Sequence, residues 1–137
     1  MNTEFQDWKP YESYEYLPIT SCSLNWFDAE DTCKKYGSHL TSIQSNDEIE
    51  FVGQFFATEF SPFWLGGIAS NPNISNYVWS DGSLWNDVFM WSPGYYGTPS
   101  CVSSYYWGNS IIYSLSDICE KRYKFVCKRM RKPEKVN

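Results

Sequence analysis

The chain has 137 residues and a formal net charge of −5 at pH 7, which fits one domain and argues against a generic nucleic-acid-binding protein. Apolar residues make up 42% and charged residues 20%, as in a globular rather than a disordered protein. No apolar run reaches the ~18 residues of a membrane-spanning helix, and residues 1–10 lack the apolar segment of a secretory signal peptide.

The basic residues are unevenly distributed along the chain. None lies between 40 and 120, and eight crowd into 121–135. The middle of the chain therefore lacks a cation for binding phosphate, sulfate or carboxylate groups. The basic C-terminal segment has two interpretations: attraction to acidic glycans or a membrane surface, or a solvated strand end, which we favour.

The N-terminal part predicts a hairpin followed by a helix. Residues 8–20 alternate aromatic and polar side chains, which indicates extended structure. Asn25 is a suitable N-cap for a helix that ends at Gly37. The apolar face of this helix consists of Trp26, Ala29 and Cys33.

A short strand at 39–43 and a second helix follow. Ser45 at the N-cap and Glu48 at the third helical position form the pattern of a capping box. The apolar stripe of this helix consists of Ile49, Val52, Phe55 and Phe56. The acidic residues of both helices are expected on the helix surface.

After Phe63 the pattern becomes typical of strands. We predict strands at 63–68, 77–79, 101–107, 111–113 and 124–127, with a long structured loop at 83–99. Two helices followed by a strand-rich half predict the α+β class.

The five cysteines indicate an oxidising compartment. They contain no C-x-x-C pair and the chain has one histidine, so disulfides are favoured over a zinc site. We therefore expect a secreted or extracellular protein in which one cysteine is left over. Asn73 begins an N-glycosylation sequon in a segment with the composition of a surface loop.

Seven segments stand in a fixed order: Trp26 to Cys33, His39 to Ile43, Trp64-Leu65-Gly66, Trp79-Ser80-Asp81-Gly82, Trp91-Ser92-Pro93-Gly94, Cys101-Val102 and Phe125-Val126-Cys127-Lys128. In this order they resemble the C-type lectin-like domain family, and most closely its short secreted members of nematode type. The resemblance implies two helices packed on small antiparallel sheets beside a long structured loop. We expect a single domain over 1–137, with its core at about 8–129 and a disordered tail at 130–137.

The same resemblance implies the disulfide pairing. It pairs Cys33 with Cys127 and Cys101 with Cys119, which would stabilise the fold by about 4–5 and about 3 kcal/mol through loop closure. Cys22 is left over by this pairing. It either forms an interchain disulfide, which would make a homodimer, or remains a thiol.

Calcium is not expected in the long loop. Sugar-binding members of the family place a Ca²⁺ ion there, and such an ion needs roughly six to eight oxygen ligands, several of them carboxylates. The family takes these ligands from an E-P-N or Q-P-D triplet after W-x-P-G and from a W-N-D triplet before the third conserved cysteine. This chain has Tyr95 and Tyr96 at the first place and 114–116, Ser-Leu-Ser, at the second.

A second calcium site of the family would lie beside the second helix. The resemblance places its ligands at Ser42, Gln44 and Glu48, with an acidic residue after the last cysteine. This chain has Lys128 at that position, so an ion pair between Lys128 and Glu48 is favoured over a metal. For Glu48 alone, the capping box is the simpler role, and no cofactor is expected.

Ligand binding is therefore expected from aromatic and neutral polar side chains. Aromatic faces stack against sugar rings, and Asn and Asp side chains form hydrogen bonds with hydroxyls. The candidates in and around the long loop are Tyr95, Tyr96, Asn86, Asp87, Tyr105, Tyr106, Trp107 and Asn109. Trp79 and Trp91 are expected in the core instead.

The resemblance and the missing calcium ligands together favour a non-enzymatic extracellular recognition module that binds carbohydrate or glycoprotein without calcium. The alternative is a protein-binding relative, such as a receptor decoy or antagonist. The chain offers no Gly-x-Ser-x-Gly motif and no carboxylate pair in a loop, so catalysis is not expected.

Overall fold

The computed structural model describes residues 7–58, 61–69, 77–85, 91–92, 100–107 and 110–132, and for 91–92, 106–107 and 110–116 it describes the backbone alone. Within these ranges the helices are α1 (Trp26–Lys35) and α2 (Asn46–Gly53), and a short 3-10 helix at Gln54–Phe56 follows α2. The strands are β1 (Lys9–Tyr11), β2 (Tyr14–Leu24), β3 (His39–Leu40), β4 (Phe63–Ala69), β5 (Val78–Trp79), β6 (Trp91–Ser92), β7 (Ser100–Trp107), β8 (Ser110–Ile118) and β9 (Tyr123–Met130). The predicted α+β class is confirmed.

The described strands form one connected sheet in the order β1-β2-β9-β4-β7-β8-β6, with β3 on β9 and β5 on β4. The pairs β4–β9 and β6–β8 are parallel and the others are antiparallel, so the sheet is mixed rather than a set of small antiparallel sheets. The predicted hairpin is confirmed as β1 and β2, which pair around Glu12 and Ser13. The register places Lys128 of β9 opposite both Tyr16 and His39.

Both helices begin where capping chemistry predicts. The side chain of Asn25 accepts from the Asp28 N–H at 2.9 Å, and the side chain of Ser45 accepts from the Glu48 N–H at 3.1 Å. The Glu48 carboxylate accepts from the N–H of Gln44 at 2.7 Å, one residue before the usual capping-box partner. Gly37 has φ +69°, which is the left-handed conformation expected just after a helix.

The core has two parts, one under each helix. The part under α1 contains its predicted apolar face together with both disulfides, Cys33–Cys127 and Cys101–Cys119, which are the pairs that the resemblance implies. The part under α2 contains Ile49, Val52 and Phe56. Trp79 is buried in this second part, as predicted.

Three elements differ from the sequence-based expectation. β8 spans Ser110–Ile118 because it follows β7 along most of its length, although only 111–113 has the composition of a strand. Trp91–Ser92, inside the expected loop, pairs with β8. β9 continues to Met130 and the Arg131 N–H donates to Ser13 O, so the sheet includes the first residues of the expected disordered tail. Residues 133–137 lie outside the described residues.

Candidate functional site

Lys128 is the centre of a buried polar cluster. Its Nζ lies 2.5 Å from Glu48 Oε2 and 3.1 Å from Ser42 Oγ, and it also contacts the Ser42 carbonyl at 3.3 Å. The Lys128 and Glu48 side chains are 3% and 6% exposed. Because both charges are almost completely removed from water, each depends on the other for compensation. We call Lys128, Glu48, Ser42, Tyr16 and Asp81 the Lys128 cluster.

The secondary structure sets the geometry of this cluster. Glu48 is held at the first turn of α2 by the Ser45 cap, and its Oε2 also accepts from the Tyr16 hydroxyl at 2.5 Å. Burial, reinforced by this hydrogen bond, raises the pKa of Tyr16 well above that of an ordinary tyrosine. The ammonium of Lys128 also lies 4.4 Å from the Tyr14 ring centroid and 5.7 Å from the Tyr16 ring centroid, within the range of cation–π attraction.

The cluster is tied to the turn at 80–83, which leads toward the expected ligand loop. Ser42 Oγ donates to Asp81 Oδ2, and Asp81 Oδ1 accepts from the Ser83 N–H at 2.8 Å. This turn packs closely against the 40–42 segment through Gly66, where an added Cβ would lie 2.5 Å from Leu40 O and 2.9 Å from Ser80 Oγ. The turn is therefore connected to Lys128 through the Ser42 hydroxyl.

Glu30 of α1 corrects the expectation that the helix acids are surface charges. It is 5% exposed, and its carboxylate accepts from His39 Nδ1 at 2.7 Å and from the Leu40 N–H at 2.8 Å. Ser80 Oγ donates to the same carboxylate at 3.1 Å. Glu48 departs from the expectation of a surface charge in the same way.

The basic C-terminal segment departs only in part from the favoured interpretation as a solvated end. Lys121, Arg122, Arg131 and Lys132 are exposed, whereas two other cations are held within the domain. Lys128 is buried, and the guanidinium of Arg129 lies 3.7 Å from the Trp8 ring centroid. Arg129 Nε donates to Glu15 Oε1 at 2.6 Å, and its Nη1 donates to the Tyr36 carbonyl at 2.9 Å. These two cations are therefore committed to contacts within the domain.

The residues beside α2 do not fit a calcium ion. Of the family's ligand positions, Ser42 and Glu48 are brought together, but their oxygens already bind the Lys128 ammonium. A divalent cation sharing these oxygens would lie against the positive charge of the Lys128 ammonium, which is almost completely buried. Elsewhere among the described residues, no group of three or more His, Cys, Asp or Glu side chains is arranged to hold a metal ion.

A second buried carboxylate, Asp117, lies near the other end of the sheet. It is 7% exposed and accepts from Ser103 Oγ at 2.7 Å and from the Ile118 N–H at 2.8 Å. Lys121 Nζ lies 3.4 Å away on a side chain that is 50% exposed. Burial, followed by the Asp117 charge, raises the pKa of Tyr123. Asp117 is thus satisfied by partners within the domain.

Two cavities share Tyr14 and Lys128 in their walls. One has a volume of about 270 Å³ and extends along β3 and the 80–83 turn. The other has a volume of about 210 Å³ and is also lined by Tyr11, Gln44 and Glu48. Gln44 lines this second cavity as an exposed residue.

Most of the predicted ligand residues cannot be placed. Tyr105 is half-buried on β7, and the structure places Tyr106 and Trp107 on the same strand by their backbone alone. Tyr95, Tyr96, Asn86, Asp87, Asn109 and the sequon residue Asn73 lie outside the described residues. Cys22 lies half-buried in β2, outside the two disulfides. The sequence analysis did not identify Tyr16, Glu30 or His39 as site residues. The alternating pattern of 8–20 could have indicated that the Tyr16 side chain faces the core.

Comparison with known proteins agrees with this geometry. The profile of the family described as "Lectin C-type domain" matches residues 22–129. This chain belongs to the C-type lectin domain family. Members of the family are generally non-enzymatic. Among the described residues, no helix is long and apolar enough to cross a membrane.

Relatives of this C-type lectin domain include a C-type lectin and a snaclec polypeptide. The chain is 31% identical over 128 residues to C-type lectin 9a of Crotalus adamanteus, covering 88% of this chain and 78% of that protein. It is 37% identical over 82 residues to one polypeptide of the snaclec coagulation factor IX/factor X-binding protein of Protobothrops flavoviridis, covering 57% of this chain. The chain spans 55% of that snaclec polypeptide and as little as 6% of another curated relative.

A solved structure confirms the C-type lectin fold. The C-type lectin domain of murine dendritic cell inhibitory receptor 2, determined in complex with N-glycan, superposes with a TM-score of 0.80 at 21% identity. The superposition covers 94% of this chain and 100% of that chain.

Proposed function

We propose that this C-type lectin domain is a non-enzymatic extracellular recognition module that binds glycans or glycoproteins without a calcium ion. The observation that carries the calcium independence is the Lys128 ammonium, held 2.5 Å from Glu48 Oε2 in the cluster beside α2. This internal cation supplies the charge compensation that the Glu48 carboxylate needs.

The composition of the expected ligand loop supports the same conclusion. Residues 88–116 contain no Asp or Glu, so that stretch lacks the carboxylates that a loop calcium site needs. Tyr95 and Tyr96, between Gly94 and Gly97, supply ring faces, and Asn86, Asp87 and Asn109 supply hydrogen-bonding groups for hydroxyls. Tyr105, Tyr106 and Trp107 of β7 are further aromatic candidates for ligand contact.

The disulfides support an extracellular location. Cys33–Cys127 and Cys101–Cys119 both lie in the core under α1, and such bonds persist in oxidising compartments. The Asn73 sequon is consistent with passage through the secretory pathway.

A glycan array and titration calorimetry, each in EDTA and in millimolar CaCl₂, test the proposal. We expect the same glycans and the same affinity under both conditions. Replacing both loop tyrosines, Tyr95→Ala with Tyr96→Ala, should weaken binding by tenfold or more. Phe27→Ala, at a 43% exposed residue of α1, is the matched control and should leave binding unchanged. Glycan binding that disappears in EDTA would contradict the mechanism.

A protein-binding role is the second candidate. It is favoured by the similarity to the snaclec polypeptide, whose protein is named for binding coagulation factors IX and X. A glycan array without hits, together with saturable capture of one extracellular protein that the Tyr95→Ala, Tyr96→Ala variant loses, would establish it. Non-reducing gels test whether Cys22 links two copies in either role.

A further inference from the structure

The larger of these two cavities has the features of a ligand site, and Ser83 is the one residue of its wall that belongs to the expected loop at 83–99. Its volume of about 270 Å³ lies below the roughly 300–1,000 Å³ of sites for drug-sized ligands, so it suits one small ring. We call this cavity the Tyr14 cleft, and its aromatic, charged and hydroxyl-bearing wall consists of Tyr14, His39, Asp81, Ser83, Lys128 and Arg129.

Each cation of the Tyr14 cleft is already paired with a carboxylate of the domain. Lys128 is paired with Glu48 at 2.5 Å, and Arg129 is paired with Glu15 at 2.6 Å. A ligand anion would therefore compete with existing ion pairs, which argues against phosphate, sulfate or carboxylate as the ligand.

His39 and Asp81 of the Tyr14 cleft are also held by hydrogen bonds within the domain. Because the Glu30 carboxylate only accepts, His39 Nδ1 donates to it at 2.7 Å, and Nε2 is the ring nitrogen left for a ligand. Asp81 accepts from Ser42 Oγ and from the Ser83 N–H. The cleft therefore presents polar groups in fixed positions, as the hydroxyls of a neutral ligand require.

Tyr14 supplies an apolar surface at the edge of the cleft. It is 37% exposed and lies directly opposite Met130, which is 70% exposed, in the β2–β9 pair. Opposite residues of an antiparallel pair share one face of the sheet, so the two side chains form a small exposed apolar patch. The Tyr14 ring can pack against the apolar C–H face of a ligand ring, and the polar groups of the wall can bind its hydroxyls.

We propose that the Tyr14 cleft is a second binding site, specific for a single uncharged pyranose ring. The ring stacks on Tyr14 and forms hydrogen bonds with His39, Asp81 and Ser83. Of the expected loop at 83–99 the site uses Ser83 alone, and it does not depend on ligand binding at Tyr95 or Tyr96.

Amide chemical-shift mapping of the ¹⁵N-labelled full chain in EDTA tests this site. The probes are the methyl pyranosides of glucose, galactose and mannose, each titrated through the millimolar range that suits a small site. At least one should shift the amides of Gly37, Ser38 and Ser83 in a saturable manner. The Tyr95→Ala, Tyr96→Ala variant should retain these shifts, which separates this site from the proposed loop site.

Two variants keep the proposal falsifiable. Tyr14→Leu removes the ring but keeps an apolar side chain and should weaken the pyranoside affinity at least tenfold, whereas Phe27→Leu, at an exposed residue of α1, should not change it. Ser83→Val places bulk in the cleft and should abolish the amide shifts. This variant tests the site even if Tyr14→Leu fails to fold. The proposal is overturned if no pyranoside shifts these amides, if both cleft variants bind as the parent does, or if inorganic sulfate shifts them and the pyranosides do not.

Discussion

Two buried carboxylates, Glu48 and Asp117, are stabilised in opposite ways in this C-type lectin domain. Glu48 is neutralised by a buried ammonium 2.5 Å away, with a tyrosine hydroxyl as its second donor. Asp117 relies on the Ser103 hydroxyl and a backbone N–H, and its only described cation, Lys121, is half exposed and 3.4 Å away. A carboxylate surrounded by neutral donors needs no full counter-charge, whereas Glu48 is coupled to one cation.

The difference supports our proposal that the domain folds without a metal at the α2 position. The Lys128 cluster contains a buried ammonium. Its contacts with Glu48 and Ser42, and the hydrogen bond from Ser42 to Asp81, connect β9, α2 and the 80–83 turn. The Asp117 region connects β7, β8 and the turn before β9 with Tyr123 at the start of β9. Perturbing the first region should therefore affect the fold more strongly than perturbing the second.

The disulfides of the two regions should show the largest effects. Removing Cys33–Cys127, which closes a loop of sequence separation 94, should lower the free energy of unfolding by about 4–5 kcal/mol. Removing Cys101–Cys119, with a separation of 18, should lower it by about 3 kcal/mol. Urea unfolding of the two paired Cys→Ser variants measures both. Equal losses would show that loop closure does not dominate these contributions.

The two lysines provide the next comparison. Lys128→Met leaves the Glu48 charge buried without its partner and should lower the free energy of unfolding by about 3–5 kcal/mol. Lys121→Met removes a half-exposed partner of Asp117 and should cost less than about 1 kcal/mol. Denaturant titration of both variants decides the point. Similar costs would show that the two carboxylates depend equally on their cations.

We predict that stability declines at alkaline pH because of Tyr16, beside Glu48, and Tyr123, beside Asp117. The pKa values of Tyr16 and Tyr123 are raised in the folded state, so the unfolded chain loses these protons first as pH rises. Above about pH 10 each group should reduce the free energy of unfolding by up to about 1.4 kcal/mol per pH unit. Below that pH their contribution should be constant.

Phenylalanine variants assign this pH dependence to its source. Tyr16→Phe and Tyr123→Phe should each flatten the decline measured by urea unfolding at several pH values above neutrality. If the free energy of unfolding still declines with pH in the double variant Tyr16→Phe, Tyr123→Phe, other groups cause the decline.

The smallest effect concerns the neutral donor to Asp117. Ser103→Ala removes the 2.7 Å hydrogen bond but leaves the backbone donor and Lys121, so we expect a loss of about 1–2 kcal/mol in the free energy of unfolding. Ser104→Ala, at the next buried serine of β7, is the matched comparison. A loss at Ser103 as large as that of Lys128→Met would mean that Asp117 has no effective support besides this hydroxyl.

Local chemistry made the helices predictable from the sequence. Asn25 and Ser45 cap the two helices because both signals act within one helical turn. The pairing of Lys128 with Glu48 followed from a family position at which a cation replaces an acid. The burial of Glu30 could not be predicted, because His39, the Leu40 N–H and Ser80 reach it only after the chain has folded.

The strands show where sequence pattern is insufficient. β8 extends far beyond its apolar segment because pairing with β7, rather than side-chain composition, determines its length. The ligand-loop candidates, from Asn86 to Asn109, remain predictions that rest on composition and on the family resemblance. The experiments with Tyr95 and Tyr96 address them directly.

We infer from the Lys128 cluster that an ammonium serves in this domain where a metal ion would otherwise be needed. Thermal unfolding of the parent chain in EDTA and across a CaCl₂ titration through the millimolar range tests this inference without any variant. We predict the same midpoint temperature at every calcium concentration. A midpoint that rises steadily with calcium would contradict the inference, because a ligand raises the midpoint only by binding the folded state.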